Sequence, residues 1–508
     1  MTTLPIGPAG SATIGALLRA QARIRGGAVA VEDGRVSWTY AAFNGRVNRL
    51  SHALAARGVG RGDRVAVLSE NRCEYVELEF ACAKLGAIVA ALNWRLAADE
   101  LDYCIALAAP RMAFASPRFA ARFDAPGEPP ELGVFGAAYE EMLGAASDSE
   151  PADAAMPEDG LVILYTSGTT GRPKGALVSH RAFIARLAVF AIDLGLSRAG
   201  TFAAWAPMFH MASTDLSIGC LLIGGRVVQI DGFDLDHLCR VIEAHRLDWL
   251  VLMPGVYERL FERLDATPLD PRGIGCLGAM ADLTPRGYIA EVTRRLRAPF
   301  LNSFGSTETG IPPASASLIP VGEAPERLSK RQNSLCEIRL VDAEDREVPV
   351  GTPGELVFRG PTLFSGYWRA DDANAADFRG GWFHTGDMFA RNADGTFDFV
   401  DRAKYLIKSG GENVYPAEIE RVLLADARVA DAAVVRQRDA RWGEVPVAFV
   451  ARADRDLTAD VLLAACRERL AGYKCPKRIR FVEADDLPRS TSGKIRRQAL
   501  EARLERGE

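Results

Sequence analysis

The sequence predicts an α/β protein: a large N-terminal domain of doubly wound sheets packed with helices, followed by a small α+β C-terminal domain. Two observations carry this. Through the N-terminal third, apolar extended runs alternate with helical patterns, which implies a parallel sheet with helices on both faces. Beyond Val400 the pattern changes to a shorter unit with strands and helices of its own. A chain of 508 residues has room for about three domains at roughly 150 residues each and can bury a substantial core.

The elements follow in order. Residues 63–69 (DRVAVLS) read as a buried strand, 74–85 as a helix, 87–92 as a second strand and 99–108 as a second helix. Residues 123–160 are rich in Pro, Gly, Ala and acids. They read as a surface connection with one short helix over 139–143. Asp394-Gly395 makes a hairpin turn between extended runs at 389–392 and 396–400. A polar, Gly-containing stretch, 401–413, comes next. Pro416 suits the first turn of a helix that runs through Ala425. Strands at 430–435 and 445–451, a helix over 457–470 and a strand at 478–483 complete the chain. A boundary near Lys404 gives domains 1–403 and 404–508.

Composition narrows the function. Lys plus Arg number 61 and Asp plus Glu 66, a formal net charge of −5, which speaks against a protein built to grip nucleic acid. Apolar residues at 48% and charged residues at 25% are ordinary for a globular protein. No run reaches the roughly 18 apolar residues of a membrane span; the best candidate, 205–228, is broken by His210 and Asp215. No basic residue precedes Arg19, so the N-terminus does not read as a secretory signal. The nine cysteines are odd in number and lack Cys-x-x-Cys spacing. They read as small core hydrophobes of a reducing compartment, and a cytoplasmic location is expected. The six histidines form no His-x-x-x-His pair, so zinc has no support.

The chemistry is concentrated in a few segments. Residues 165–175 (YTSGTTGRPKG) hold three Gly, three Thr, one Ser and one Lys. Glycines let backbone N–H groups approach an anion, hydroxyls add donors, and the lysine adds a point charge. That composition suits a polyphosphate. It is not the P-loop of the kinases and ATPases, because Gly-Lys followed by Ser or Thr is absent. An ordinary polar turn is the plain alternative, but such a turn seldom needs so many hydroxyls beside a lysine.

This segment resembles the phosphate loop of the AMP-forming adenylating ligases, which include acyl-CoA synthetases, aryl-CoA ligases, peptide-synthetase adenylation domains and firefly-type luciferases. Four more segments match in the same order: Phe304-Gly305-Ser306-Thr307-Glu308; residues 382–387 (WFHTGD); residues 401–404 (DRAK) with 407–420 (IKSGGENVYPAEIE); and residues 487–495 (LPRSTSGKI). One departure stands out. Many relatives carry a Gly-x-x-Gly-x-Pro stretch where this chain has 329–337 (SKRQNSLCE).

The resemblance implies a fold with an additional small β-rich subdomain and a mobile C-terminal lid. It also implies a two-step reaction. A carboxylate attacks the α-phosphate of ATP to give acyl-AMP and pyrophosphate; coenzyme A then displaces AMP to give a thioester. It implies the site residues as well. Thr166, Ser167, Gly168, Thr169, Thr170, Gly171 and Lys174 would cradle the β- and γ-phosphates. Glu308 would hold Mg²⁺, Thr307 would bond the α-phosphate, and Phe304 with Gly305 would face adenine opposite Gly278, Ala279 and Met280. Asp387 would accept from the ribose hydroxyls and Arg402 would bond ribose and phosphate. Lys494 would bridge carboxylate and α-phosphate during adenylation. His210 would gate the acyl pocket, lined by Trp205, Met208, Met211 and Ser213, for which plain core is the rival role. Gly410, Gly411 and Trp442 would border the coenzyme A arm. The basic stretch 473–480 suits the phosphates of coenzyme A, with a solvated basic face as the plain alternative.

The apolar acyl segment favours a fatty or aromatic acid over a dicarboxylate, which would need a buried cation partner; a fatty acid of medium or long chain is the substrate expected, with an aryl acid as the alternative. Rival readings are a ligase that loads a carrier protein and a catalytically silent acyl or nucleotide sensor. A homodimer is left open.

Overall fold

The computed structural model describes residues 12–123, 130–166, 172–198, 200–410, 412–489 and 495–506. By internal contacts the chain divides into two compact units, residues 1–337 with 359–381, and residues 338–358 with 382–508.

The first unit holds two large sheets. One has six strands in the order Glu131–Val134, Met112–Ala115, Arg64–Leu68, Ile88–Ala91, Gly160–Thr166, Lys174–Ser179. The first five run parallel and the last pairs antiparallel with its neighbour. Ile88–Ala91 and Met112–Ala115 are buried at every position, as strands covered on both faces must be. The intervening helices, Cys73–Leu85 and Ala98–Ala108, and the strands themselves lie where the alternating pattern puts them. The other sheet has eight strands in the order Leu318–Ile319, Phe300–Leu301, Ile274–Leu277, Leu247–Leu250, Thr201–Ala204, Arg226–Gln229, Val29–Glu32, Ser37–Thr39. Its six inner strands are parallel, and both edge strands are antiparallel. Trp205, Leu252, Tyr257 and Phe300 belong to one core cluster beside it.

The connection at 123–160 is more than a surface loop. It contributes the edge strand Glu131–Val134 and the helix Ala137–Gly144, whose Tyr139 is buried and donates its hydroxyl to Glu77 at 2.7 Å. The polar composition hid this because an edge strand needs only its inner face buried.

The second unit holds the antiparallel pairing of Pro353–Arg359, Phe383–Arg391 and Phe397–Arg402, with Glu337–Val341 as the fourth strand. A five-stranded sheet follows: Glu412–Val414, Ile407–Ser409, Gly443–Arg452 and Val429–Asp439, with Arg478–Val482 parallel to Gly443–Arg452. Helices Pro416–Leu423 and Ala459–Arg469 contribute Ile419, Leu423, Leu462 and Cys466 to its core. The Asp401 carboxylate accepts from the Ala417 N–H at 2.7 Å, at the start of helix Pro416–Leu423. Contacts therefore group the four-stranded sheet with the C-terminal part, whereas a boundary near Lys404 would assign all four of its strands to the first domain.

Seven of the nine cysteines are buried, and all nine are free. Among the described residues no helix is long and apolar enough to cross a membrane.

Candidate active site

The segment expected to cradle phosphates is flanked by two antiparallel strands, Gly160–Thr166 and Lys174–Ser179. These strands pair Thr166 opposite Lys174. Ser167, Gly168, Thr169, Thr170 and Gly171 lie outside the described residues. A second segment, 364–368 (FSGYW), docks beside strand Lys174–Ser179. Ser365 N–H donates to the Leu177 carbonyl at 2.7 Å, Leu177 N–H to the Gly366 carbonyl at 3.0 Å, and Trp368 N–H to the Gly175 carbonyl at 2.7 Å. This docking brings the Tyr367 ring within 4.4 Å of Lys174 Nζ. The Tyr367 hydroxyl donates to Glu308 Oε1 at 2.9 Å. Lys174 Nζ also lies 3.5 Å from Asp377 Oδ2. Ammonium, phenol and carboxylate thus form one chain of contacts. Among the described residues no group of three or more His, Cys, Asp or Glu could hold a metal by itself. A single carboxylate still fits Mg²⁺, which keeps several waters and takes its other ligands from substrate phosphates.

Glu308 is held from behind. Phe364 N–H donates to its carbonyl at 2.8 Å. Arg186, fully buried, donates Nη2 to the Thr307 carbonyl and Nε to the Thr362 carbonyl, both at 3.0 Å. Its Nη1 meets both oxygens of Asp215 at 3.1 and 3.2 Å. Gly310, at φ +80°, leaves the room that this side chain needs: a Cβ there would stand 2.7 Å from Arg186 Cδ.

The two segments expected around adenine are brought together. Gly278, at φ +81°, has no space for a side chain, since a Cβ would lie 2.1 Å from the Phe300 ring. Met280, two residues on and at φ +54°, donates its N–H to Ser303 Oγ at 3.1 Å. Ala279 lies between them. Phe304 N–H donates to Ser315 Oγ at 2.8 Å, and Gly305 pairs in a hairpin with Pro313.

His210 is the N-cap residue of helix Met211–Ile223. Its ring lies 4.8 Å from Phe209, which Trp94 meets edge-on at 6.0 Å; Trp94 stacks on Phe119 at 5.5 Å. Of the residues expected to line an acyl pocket, Met211 is half-buried beside His210. Trp205, Met208 and Ser213 are buried, and Trp205 bonds the Val251 carbonyl at 2.8 Å, so plain core fits them.

In the second unit, Asp387 and Arg402 face each other across two strands, with Arg402 Nε 2.9 Å from Asp387 Oδ1. Gly410, at φ +61°, sits under the Trp442 ring; a Cβ there would meet Trp442 Cε3 at 2.7 Å. Gly411 and Lys494 lie outside the described residues. The basic stretch 473–480 is partly engaged already: Lys474 pairs with Glu418 at 2.8 Å, and Arg478 bonds Gln437 at 2.6 Å.

Sequence reasoning missed Tyr367, Asp377 and Arg186. The Gly-aromatic run at 364–368, which has neither helical nor strand period, was the available signal for Tyr367. Arg186 sits in the amphipathic helix His180–Leu194 and carries no local signal.

Known proteins bear on this geometry. Residues 18–368 match the AMP-binding enzyme family, and residues 418–494 match the AMP-binding enzyme C-terminal domain. An indoleacetate–CoA ligase of Aromatoleum aromaticum is 37% identical over 476 residues, covering 90% of this chain and 92% of its own. A feruloyl-CoA synthase of an Amycolatopsis species is 35% identical over 487 residues, covering 94% and 96%. The solved fatty acyl CoA synthetase of Mycobacterium tuberculosis superposes with a TM-score of 0.78 at 27% identity, covering 97% of this chain and 99% of its own. These matches carry the acid–thiol ligase activity and ATP as its nucleotide. They do not carry the fatty acid expected as substrate, since the two sequence relatives are named for aryl acids. The chain belongs to the AMP-binding enzyme family and is an AMP-forming acid–thiol ligase, an acyl- or aryl-CoA ligase.

Proposed function

We propose that the acid is an aromatic carboxylic acid activated for transfer to coenzyme A. The observation that carries this choice is that relatives aligned over at least 90% of the chain are named for indoleacetate, ferulate and 2-succinylbenzoate, all ring-bearing acids. The row His210, Phe209, Trp94 and Phe119 supports it, because aromatic faces and edges suit a flat ring. A fatty acid is the second reading, favoured by the likeness to the fatty acyl CoA synthetase.

In this reading Lys174 neutralises the outgoing phosphates, and Tyr367 orients the Glu308 carboxylate that would hold Mg²⁺. Bound Mg²⁺ supplies charge neutralisation between the two anions that must meet. Gly278, Ala279 and Met280 form one wall for adenine, and Phe304 with Gly305 forms the other. Thr307 bonds the α-phosphate, Asp387 takes the ribose hydroxyls, and Arg402 holds Asp387 in place. Lys494 bridges the reacting carboxylate and α-phosphate. Rotation of residues 404–508 about Lys404 exchanges Lys494 for Gly410, Gly411 and Trp442 beside the thiol arm; such hinge motions commonly complete a catalytic site.

The test is carboxylate-dependent ATP–pyrophosphate exchange over a panel of arylacetates, cinnamates, benzoates and fatty acids, followed by thioester formation with free coenzyme A. Highest kcat/KM with a ring-bearing acid is expected. A clear preference for a fatty acid overturns the choice of acid, and failure of free coenzyme A to accept the acyl group overturns the choice of thiol.

A further inference from the structure

The stretch 329–337, which departs from the Gly-rich pattern of relatives, reaches both segments proposed to enclose adenine. Lysine is almost never fully buried unless it is paired. Lys330 has no solvent exposure, and its Nζ is 2.7 Å from Asp282 Oδ2 and 2.6 Å from Asn302 Oδ1. Asp282 follows Met280 by two residues, and Asn302 precedes Phe304 by two. One ammonium therefore ties the chain just after the first wall to the chain just before the second. Asn302 closes the link by donating Nδ2–H to the Ser329 carbonyl at 3.1 Å. Three residues on, Asn333 Oδ1 accepts from Ser315 N–H at 2.7 Å, and Ser315 Oγ accepts from Phe304 N–H at 2.8 Å. The same stretch thus supports Phe304 a second time, from behind.

We propose that Lys330 is a positioning residue for the nucleotide, setting the separation of the Gly278–Met280 and Phe304 walls. This rests on the reading that those walls hold adenine. Its charge has partners on two elements, and hydrogen bonds to a charged donor are the stronger kind. Asp282 is partly exposed, with 31% of its side chain accessible, so losing Lys330 leaves a carboxylate that water can reach. The walls lose their tie without a stranded buried anion, which makes a folded variant the expected result.

The experiment compares the parent protein with Lys330→Met, Asp282→Asn and Phe304→Ala. It measures AMP affinity by calorimetry without acid or coenzyme A, ATP–pyrophosphate exchange against ATP concentration, and melting temperature. Lys330→Met should weaken AMP binding about tenfold and raise KM for ATP alike, the scale of one charged hydrogen bond, while kcat at saturating ATP stays near the parent's. Asp282→Asn should weaken AMP binding less, because it keeps the shape and loses the charge. If Phe304→Ala weakens AMP binding and Lys330→Met does not, the role of Lys330 is overturned and the adenine reading stands. If neither weakens it, the adenine reading falls and the proposal falls with it. A loss of kcat with unchanged KM for ATP marks a merely structural lysine and also overturns the proposal. Should Lys330→Met not fold, parental AMP affinity in Asp282→Asn is the overturning result.

Discussion

Tyr367→Phe separates the two contacts that join Lys174 to Glu308. The hydroxyl stands 2.9 Å from Glu308 Oε1 and the ring 4.4 Å from Lys174 Nζ. Phenylalanine keeps the ring and removes only the donor. A hydrogen bond to a charged group contributes about 1.5–3 kcal/mol, or roughly ten- to a hundredfold in a rate or affinity. Glu308 is half-buried, so water can replace part of the lost bond and the lower end of that range is expected. Tyr367→Leu removes the ring face as well, and with it a cation–π contact of about 0.5–2 kcal/mol. The order of kcat/KM for ATP–pyrophosphate exchange should therefore be parent, then Phe, then Leu. A carboxylate that has lost its orienting donor should also need more Mg²⁺, so exchange is measured across Mg²⁺ concentrations, with melting curves as the check on folding. A Phe variant with parental exchange and parental Mg²⁺ dependence refutes the orienting role of the hydroxyl.

Three further outcomes follow from the structure. His180 Nδ1 accepts from the buried Ile14 N–H at 3.2 Å, and burial, against the nearby Asp159 charge, lowers its pKa to about 4. The unfolded chain then binds the proton more tightly, so this stabilisation is complete above about pH 6.5 and is lost as pH falls from there toward 4, about 3 kcal/mol in all; urea midpoints of the parent against His180→Leu should converge over that window. On its proposed ribose role, Asp387→Ala should raise KM for ATP about ten- to a hundredfold, because two ribose hydroxyls would lose a charged acceptor; a parental ATP dependence of AMP production counts against the assignment. Gly410→Ala adds about 1–2 kcal/mol of left-handed strain and pushes on the Trp442 ring, so thioester formation should fall while pyrophosphate exchange is kept; equal loss of both half-reactions speaks against a thiol path at Gly410.

Much of the fold is visible in the sequence because its signals are local. Residues 65–68 of strand Arg64–Leu68 are a continuous buried apolar run, and helix Pro416–Leu423 begins at its proline. Edge strand Glu131–Val134 escaped because it is short, half-buried and flanked by Pro and Gly. In the site, the glycine- and hydroxyl-rich run before Lys174 and the Thr307-Glu308 pair stand out by composition and order. Tyr367 and Lys330 do not, because each acts on a residue far along the chain: Tyr367 on Glu308, 59 residues away, and Lys330 on Asn302, 28 away. A lysine inside a polar stretch reads as solvated until the fold removes its water.

Arg186 is the extreme case, since it bonds the Thr307 carbonyl 121 residues ahead and the Thr362 carbonyl 176 ahead. Its pairing with Asp215 does not by itself make the fold stable. Burial raises the Asp215 carboxyl's pKa while Arg186 opposes the shift, and replacing a buried ion pair by apolar groups of similar volume is often neutral or stabilising. What apolar groups cannot supply is the donor for the two carbonyls, one of them next to Glu308. Arg186→Met alone strands the Asp215 charge and should cost about 3–5 kcal/mol of stability. Arg186→Met with Asp215→Leu removes that charge and should recover most of the loss. Exchange activity should stay depressed in the double variant, because the Thr307 and Thr362 carbonyls still lack their partner and Glu308 is no longer held in register with Tyr367. Urea unfolding and ATP–pyrophosphate exchange on the same three proteins decide the matter. Recovery of both stability and exchange in the double variant means the pair serves packing alone; recovery of stability without exchange means the buried charge is retained to orient Glu308, the carboxylate proposed to hold Mg²⁺.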